Sequence, residues 1–322
     1  MRAASSRAWA DFPLAVGPAI SQTAPMRFAL TLVSPDPEAV DAARSLVEEA
    51  VHQAGGHIHE TRYLGLNCID KLVEGSTAVD IRAAAEAAAA DLPVDICVQP
   101  AEGRRKKLLI ADMDSTIIGC ECLDELADFA GVKDAVAAIT ERAMRGELQF
   151  EGALRERVGM LKGLRLDALQ RCYDERVRLN PGARTLVTTM TAHGARAVLV
   201  SGGFEFFTSR VAAAAGFQDN RANRLIEDGA NLAGTVAEPI LGKEAKLEAL
   251  ERETAALGVS MADALAVGDG ANDLMMIKAS GLGVAYRAKP VVAAEAHARV
   301  DHSDLTALLY FQGYQAEEFS KN

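Results

Sequence analysis

The chain has 322 residues, five cysteines and a formal net charge of −11 at neutral pH, a length that suggests two or three domains with ample material for buried cores. A body of that charge repels other anions, which weighs against nucleic acid or an anionic membrane as partner and in favour of a small molecule. No apolar run approaches the roughly 20 residues needed to cross a bilayer, and five thiols without paired metal-finger spacing or a convincing export signal point to a reduced cytoplasm.

Residues 1–25 place Arg2 and Arg7 before a short apolar stretch that Asp11 and Pro13 interrupt. This is a poor export signal and reads as a mobile tail, with Met26 a second candidate for the start of the chain. From there to about residue 100 the apolar period keeps changing. A strand is expected over 28–33 and a helix over 37–53 that buries Ala42, Leu46, Val47 and Val51. Strands over 59–66 and 69–73 follow, then an alanine-rich helix over 77–92 and a strand over 94–98. This βαββαβ order over 26–100 implies a small α+β domain with its helices on one face of a sheet, and it resembles the ACT-type regulatory fold. ACT domains commonly use glycine at the first strand-to-helix turn, where they bind amino acids; here that turn is Ser34-Pro35-Asp36-Pro37. A packing or homodimer-forming role is therefore the expectation. His57 and His59 alternate along a strand with no third ligand nearby and are expected to face solvent. Residues 101–107, with Arg104, Arg105, Lys106 and Lys107, read as a solvated linker.

The run Leu108-Leu109-Ile110-Ala111 ends in Asp112 and Asp114. It reads as a buried strand that delivers both carboxylates to the carboxyl edge of a parallel sheet, where open α/β folds place their chemistry. Strand alternation would aim them the same way. Two neighbouring anions call for a cation or a shared proton, and the hydroxyls of Ser115 and Thr116 suit a turn and helix cap whose free N–H groups attract anions. About eighty residues then separate Asp114 from the next sheet-like segment at Ala195, and their period is helical, so a helical cap is expected at about 117–180. The sheet resumes over 195–200 and stops at Ser201-Gly202-Gly203, where the backbone could close on an anion. Lys243 and Lys246 open another helix. A further buried strand ends in Gly268-Asp269-Gly270-Ala271-Asn272-Asp273, which brings Asp269 and Asp273 to the same sheet edge. With a strand over 282–286 and terminal helices, residues 108–322 read as an α/β domain, a Rossmann-like doubly wound parallel sheet carrying an inserted helical cap. Four carboxylates, a hydroxyl with glycine amides and an ammonium suit Mg²⁺ and phosphate oxygens, an inventory for phosphoryl transfer.

Asp112-Met113-Asp114-Ser115-Thr116, Ser201-Gly202-Gly203, Lys246 and Gly268–Asp273 resemble, in order, the four motifs of the haloacid dehalogenase superfamily of phosphatases, over roughly residues 107–310. Glu121, the segment 150–158 and Val200-Ser201-Gly202-Gly203-Phe204 further resemble its phosphoserine-specific branch. The resemblance implies that Asp112 attacks phosphorus and that Asp114 is the general acid and base. It implies Mg²⁺ held by Asp112, the backbone carbonyl of Asp114 and Asp269, with Asp273 fixing a metal water or Lys246. Ser201, Gly202, Lys246 and Asn272 would take the phosphoryl group. Glu121 would pair with the ammonium of O-phosphoserine and Arg157 with its carboxylate, while Met144 and Phe150 shed water. Two other readings keep the same core residues: a phosphatase for another small phosphomonoester, and a non-enzymatic aspartate switch. The switch has no use for a second acid two residues past the first, or for a large helical lid.

Overall fold

The computed structural model describes residues 26–144 and 147–321, without the side chain of Met144. The tail expected over 1–25 lies outside the described residues.

β1 (Phe28–Val33) is buried at all six positions, because both of its faces are covered. α1 (Pro37–Gln53) opens at Asp36, whose carboxylate accepts from the Glu38 amide at 3.0 Å with Pro37 in the first turn. It buries Ala39, Val40, Ala43, Val47 and Val51. Ala42 and Leu46, expected on that face, turn to solvent instead, with Leu46 50% exposed. The stripe follows the spacing of Val40, Ala43, Val47 and Val51, and position 46 falls about 100° off it. β2 (His57–Gly65), β3 (Cys68–Glu74), α2 (Ala78–Ala88) and β4 (Asp95–Pro100) complete the unit. Thr77 caps α2. The helix ends before the expected residue 92, which precedes Pro93 and so avoids helical backbone. The strands lie in the order β2-β3-β1-β4, antiparallel throughout, which is the ferredoxin-like arrangement.

The C-terminal domain runs β5 (Leu108–Ala111), α3 (Cys122–Phe129), α4 (Lys133–Met144), α5 (Phe150–Gly159), α6 (Leu166–Arg176), α7 (Ala183–Ala192), β6 (Arg196–Phe204), α8 (Glu205–Ala215), β7 (Asp219–Asn223), β8 (Leu225–Asp228), β9 (Asn231–Val236), α9 (Glu244–Leu257), β10 (Ala264–Gly268), α10 (Leu274–Ala279), β11 (Leu282–Tyr286), α11 (Pro290–Glu295), β12 (Ala298–Val300) and α12 (Ala307–Phe311). Among the described residues, six strands form a parallel sheet in the order β12-β11-β10-β5-β6-β7. The chain moves outward from β5 to β6 and β7, then crosses back to β10 and continues on the other side. That reversal puts the topological switch beside β5, where a crevice opens at the carboxyl ends of the strands.

Helices α3 to α6 form the cap. The hairpin of β8 and β9, which the sequence reading did not resolve, is bonded to it: Gly163 donates to the Leu232 carbonyl at 2.9 Å, and Leu232 donates to that of Leu164 at 2.8 Å. The cap is thus held from two places in the chain. β6 also runs past its expected end, through Phe204, after a register break beyond Val200.

The two domains share a core, since Val33, Leu64, Cys68 and Cys97 pack with the C-terminal cluster. The solvated linker is overturned by the contacts of its cations. Arg104 holds Asp70 with two nitrogens at 2.8 and 2.7 Å and donates to the Phe311 carbonyl; Lys106 is buried, donating to the Gly103 and Ala262 carbonyls. Arg105 pairs with Glu318 and Lys107 with Asp263. On the far side of the junction, the buried Asp95 carboxylate accepts from the backbone N–H groups of Asp301, His302 and Ser303 at 2.7, 3.1 and 2.7 Å.

Candidate active site

β5 and β10 are apolar throughout and fully buried, so the polar residues that follow them are delivered to one edge without freedom to wander. There Asp112, Asp114, Ser201, Gly202, Asp269 and Asn272 line a cavity of about 610 Å³ whose opposite wall, from the cap, includes Glu121, Phe150 and Arg157. Lys246 and Asp273 lie buried beneath it. The side chain of Met144 is outside the described residues.

The turn after Asp112 is unusual. Asp114 keeps extended backbone, and Ser115 adopts left-handed backbone with φ 56°, a conformation that costs a non-glycine residue. The Ser115 hydroxyl donates to Glu121 at 2.6 Å. Thr116, expected to help cap a helix, instead donates to Asp269 at 3.2 Å, tying the two strand ends together. Asp114 accepts from the Cys122 amide at 2.9 Å through one oxygen and from the Ser201 hydroxyl at 3.1 Å through the other. A Cβ at Gly203 would sit 2.9 Å from the Asp114 carboxylate and 3.0 Å from the Ser201 hydroxyl, so a side chain there would push both groups aside.

Lys246 reaches Asp112 at 2.7 Å and also bonds Asp273. Burial alone would discharge its ammonium, but the two carboxylates outweigh that and hold its pKa above the ordinary value. Asp273 is saturated, accepting in addition from the amides of Asp269 at 3.1 Å and Gly270 at 2.9 Å. Negative charge remains in excess. Burial, with Asp273 beside it, pushes Asp112 up, and the same two causes push Asp269 up to about 6. Asp114 is likewise pushed to about 6, by burial first and then by Glu121. Oxygens of Asp112, Asp269 and Asp273 lie within 4.8 Å of one another. One ammonium cannot balance three carboxylates, so this set of hard oxygen donors fits a metal ion.

On the cap side, Arg157 projects from α5, and among the described residues its side chain bonds its own helix, at the Ala153 carbonyl, 3.3 Å away. Burial lowers its pKa, which Asp124 and Glu121 partly offset. The ring of Phe150 stands 3.3 Å from where a Cβ on Gly202 would be, so cap and sheet edge are in contact.

The structure adds Asp124 and Lys289 to the lining, which the sequence reading passed over. Both had a signal. Asp124 lies in the first turn of the helix that starts after Glu121, and Lys289 comes three residues after the end of β11, on the edge where Asp269 follows β10.

A profile of haloacid dehalogenase-like hydrolases matches residues 109–278. The chain is 39% identical over 282 residues to a phosphoserine phosphatase of Streptomyces coelicolor, covering 86% of this chain and 68% of that one. It is 44% identical over 208 residues to a phosphoserine phosphatase of Polaromonas sp., covering 63% and 88%. Among solved structures, a probable phosphoserine phosphatase of Vibrio cholerae matches with a TM-score of 0.73 at 29% identity, over 91% of this chain and 88% of that one.

Proposed function

This chain belongs to the haloacid dehalogenase-like hydrolases and is a phosphoserine phosphatase, and on that footing we propose that it works through an aspartyl phosphate on Asp112 with Mg²⁺ in the carboxylate cluster. The reaction would be the last step of serine biosynthesis, releasing L-serine and phosphate from O-phospho-L-serine. The observation that carries the reading is the convergence of two chemically different halves on one cavity. Sheet-edge residues supply a nucleophile, an acid and anion donors, and the cap supplies the anions Glu121 and Asp124 and the cation Arg157, a set suited to an amino acid.

Asp112 is fixed by Lys246 on one oxygen, which leaves the other for attack on phosphorus. The bond to the serine oxygen breaks as Asp114 hands that oxygen a proton. The same carboxylate then takes a proton from the water that attacks the acyl phosphate. Asp114 is oriented at the cavity floor by the Cys122 amide throughout, and by the Ser201 hydroxyl until that single O–H turns to the phosphoryl group. The Ser201 hydroxyl and Lys246 ammonium offset charge on the phosphoryl oxygens, with Gly202 and Asn272 closing around them. Asp112, Asp269 and the Asp114 carbonyl would hold Mg²⁺, with Asp273 orienting Lys246 and the Gly270 turn. When bound, the ion supplies the positive charge the cluster lacks and polarises a phosphoryl oxygen.

Glu121 would receive the substrate ammonium and Arg157 its carboxylate. A sugar phosphate would leave both unpaired, at roughly 1–3 kcal/mol for each group. Phosphate release from O-phosphoserine, measured with Mg²⁺ and after chelation, tests the reading. Activity that survives complete chelation would remove the metal from it. Turnover of aryl phosphates without turnover of O-phosphoserine would remove the amino acid.

A further inference from the structure

The cavity is lined by five carboxylates, those of Asp112, Asp114, Glu121, Asp124 and Asp269, and it must admit a phosphate dianion on a chain of net charge −11. Among the described residues its lining holds two cations, Arg157 and Lys289. Arg157 stands on the cap. Lys246 lies below the floor, already shared between Asp112 and Asp273.

Lys289 is different in each respect. It is exposed, it belongs to the sheet edge rather than the cap, and among the described residues it has no ion-pair partner. Its backbone is nonetheless fixed: its amide donates to the Asp269 carbonyl at 3.1 Å, and its own carbonyl accepts from Val292 at 2.9 Å and Ala293 at 3.1 Å. An unpaired ammonium on a flexible stem is thereby anchored to the metal-binding side of the mouth.

We propose that Lys289 is a phosphate-steering cation at the mouth of the cavity that draws in the phosphate group of the substrate, independently of the amino-acid portion. It offsets the repulsion of the acidic lining while the phosphate is still outside, and takes no part in bond breaking. The proposal rests on the phosphatase reading and assigns the two unshared cations to opposite ends of the substrate, Arg157 to the carboxylate and Lys289 to the phosphate.

Steady-state kinetics of Lys289→Gln and Lys289→Arg, on O-phosphoserine and on p-nitrophenyl phosphate, test it. For one charge acting across partly screened solvent, Lys289→Gln should raise KM about fivefold for both esters at low salt, shrinking to less than about twofold near 0.5 M KCl. kcat should change by less than about twofold, and Lys289→Arg should behave as the unaltered chain. An unchanged KM at low salt would overturn the proposal. So would an increase confined to O-phosphoserine, one that salt does not diminish, or one that arginine fails to restore. If the unaltered chain turned over only the aryl phosphate, the substrate assignment would fall while this test still decided the role of Lys289.

Discussion

Two buried acidic sites in this molecule are built from the same material and come out opposite. At the domain junction, Asp95 receives three backbone N–H groups from residues 301–303. At the sheet edge, Asp112, Asp269 and Asp273 crowd within 4.8 Å around a single lysine. A carboxylate answered by fixed backbone donors, with no shared cation, is a fastener, because its hydrogen bonds are already made and a ligand could only disturb them. A cluster left with surplus negative charge stores an affinity for a cation, and through the cation for a phosphate. The difference separates structure from function without reference to position in the chain.

If that distinction holds, substitutions at the two sites should fail in different ways. The largest effect expected is Asp112→Asn, which should cut turnover by at least about 10⁴-fold while leaving the folded state as stable as before or more so, since it removes one of the crowded charges. Kinetics alongside thermal unfolding would check this; a clear loss of stability would place Asp112 with the fasteners. At the junction the signs should invert. Asp95→Ala strands three buried N–H groups and should cost about 3 kcal/mol of stability in urea unfolding, with kcat within about threefold of the unaltered chain. Addition of Mg²⁺ sharpens the contrast further. At about 100 times its dissociation constant the ion should stabilise the chain by about 2.7 kcal/mol. Asp269→Asn should abolish that shift and Asp95→Ala should leave it intact, as read from unfolding with and without the ion.

Smaller effects are expected away from both sites. Arg157→Ala should lower kcat/KM for O-phosphoserine by an amount equivalent to about 2 kcal/mol and leave p-nitrophenyl phosphate unchanged. An equal loss on both esters would remove the substrate carboxylate as its partner. Arg105→Ala, which breaks a partly exposed pair with Glu318 at 2.7 Å, should cost no more than about 1 kcal/mol of stability.

The sheet-edge site was legible in the sequence because its cause is local. An apolar run such as Leu108–Ala111, closed by polar turn residues, reads as a covered strand, and the acids at its end emerge where the strand stops. The fastener was not legible, since Asp95 and its three donors are more than 200 residues apart. The linker misled for the same reason. Arg104 and Lys106 are indistinguishable from solvated charges until Asp70 and the Phe311 and Ala262 carbonyls come into place from elsewhere. Short polar strands such as β8 carry little period of their own, so the hairpin's attachment to the cap had no signature. The misplaced face of α1 is a case of phase: several apolar stripes were available, and packing against the sheet selected one of them.

The central claim is that the Asp112 carboxylate becomes phosphorylated during turnover. Rapid-quench reduction with borohydride during steady hydrolysis of O-phosphoserine, followed by peptide mass mapping, measures this directly. The account predicts conversion of Asp112 to its reduced alcohol, homoserine, in the presence of substrate, and none without it. Sustained hydrolysis with Asp112 unmodified, or with the label on Asp114 or Asp269, would contradict it.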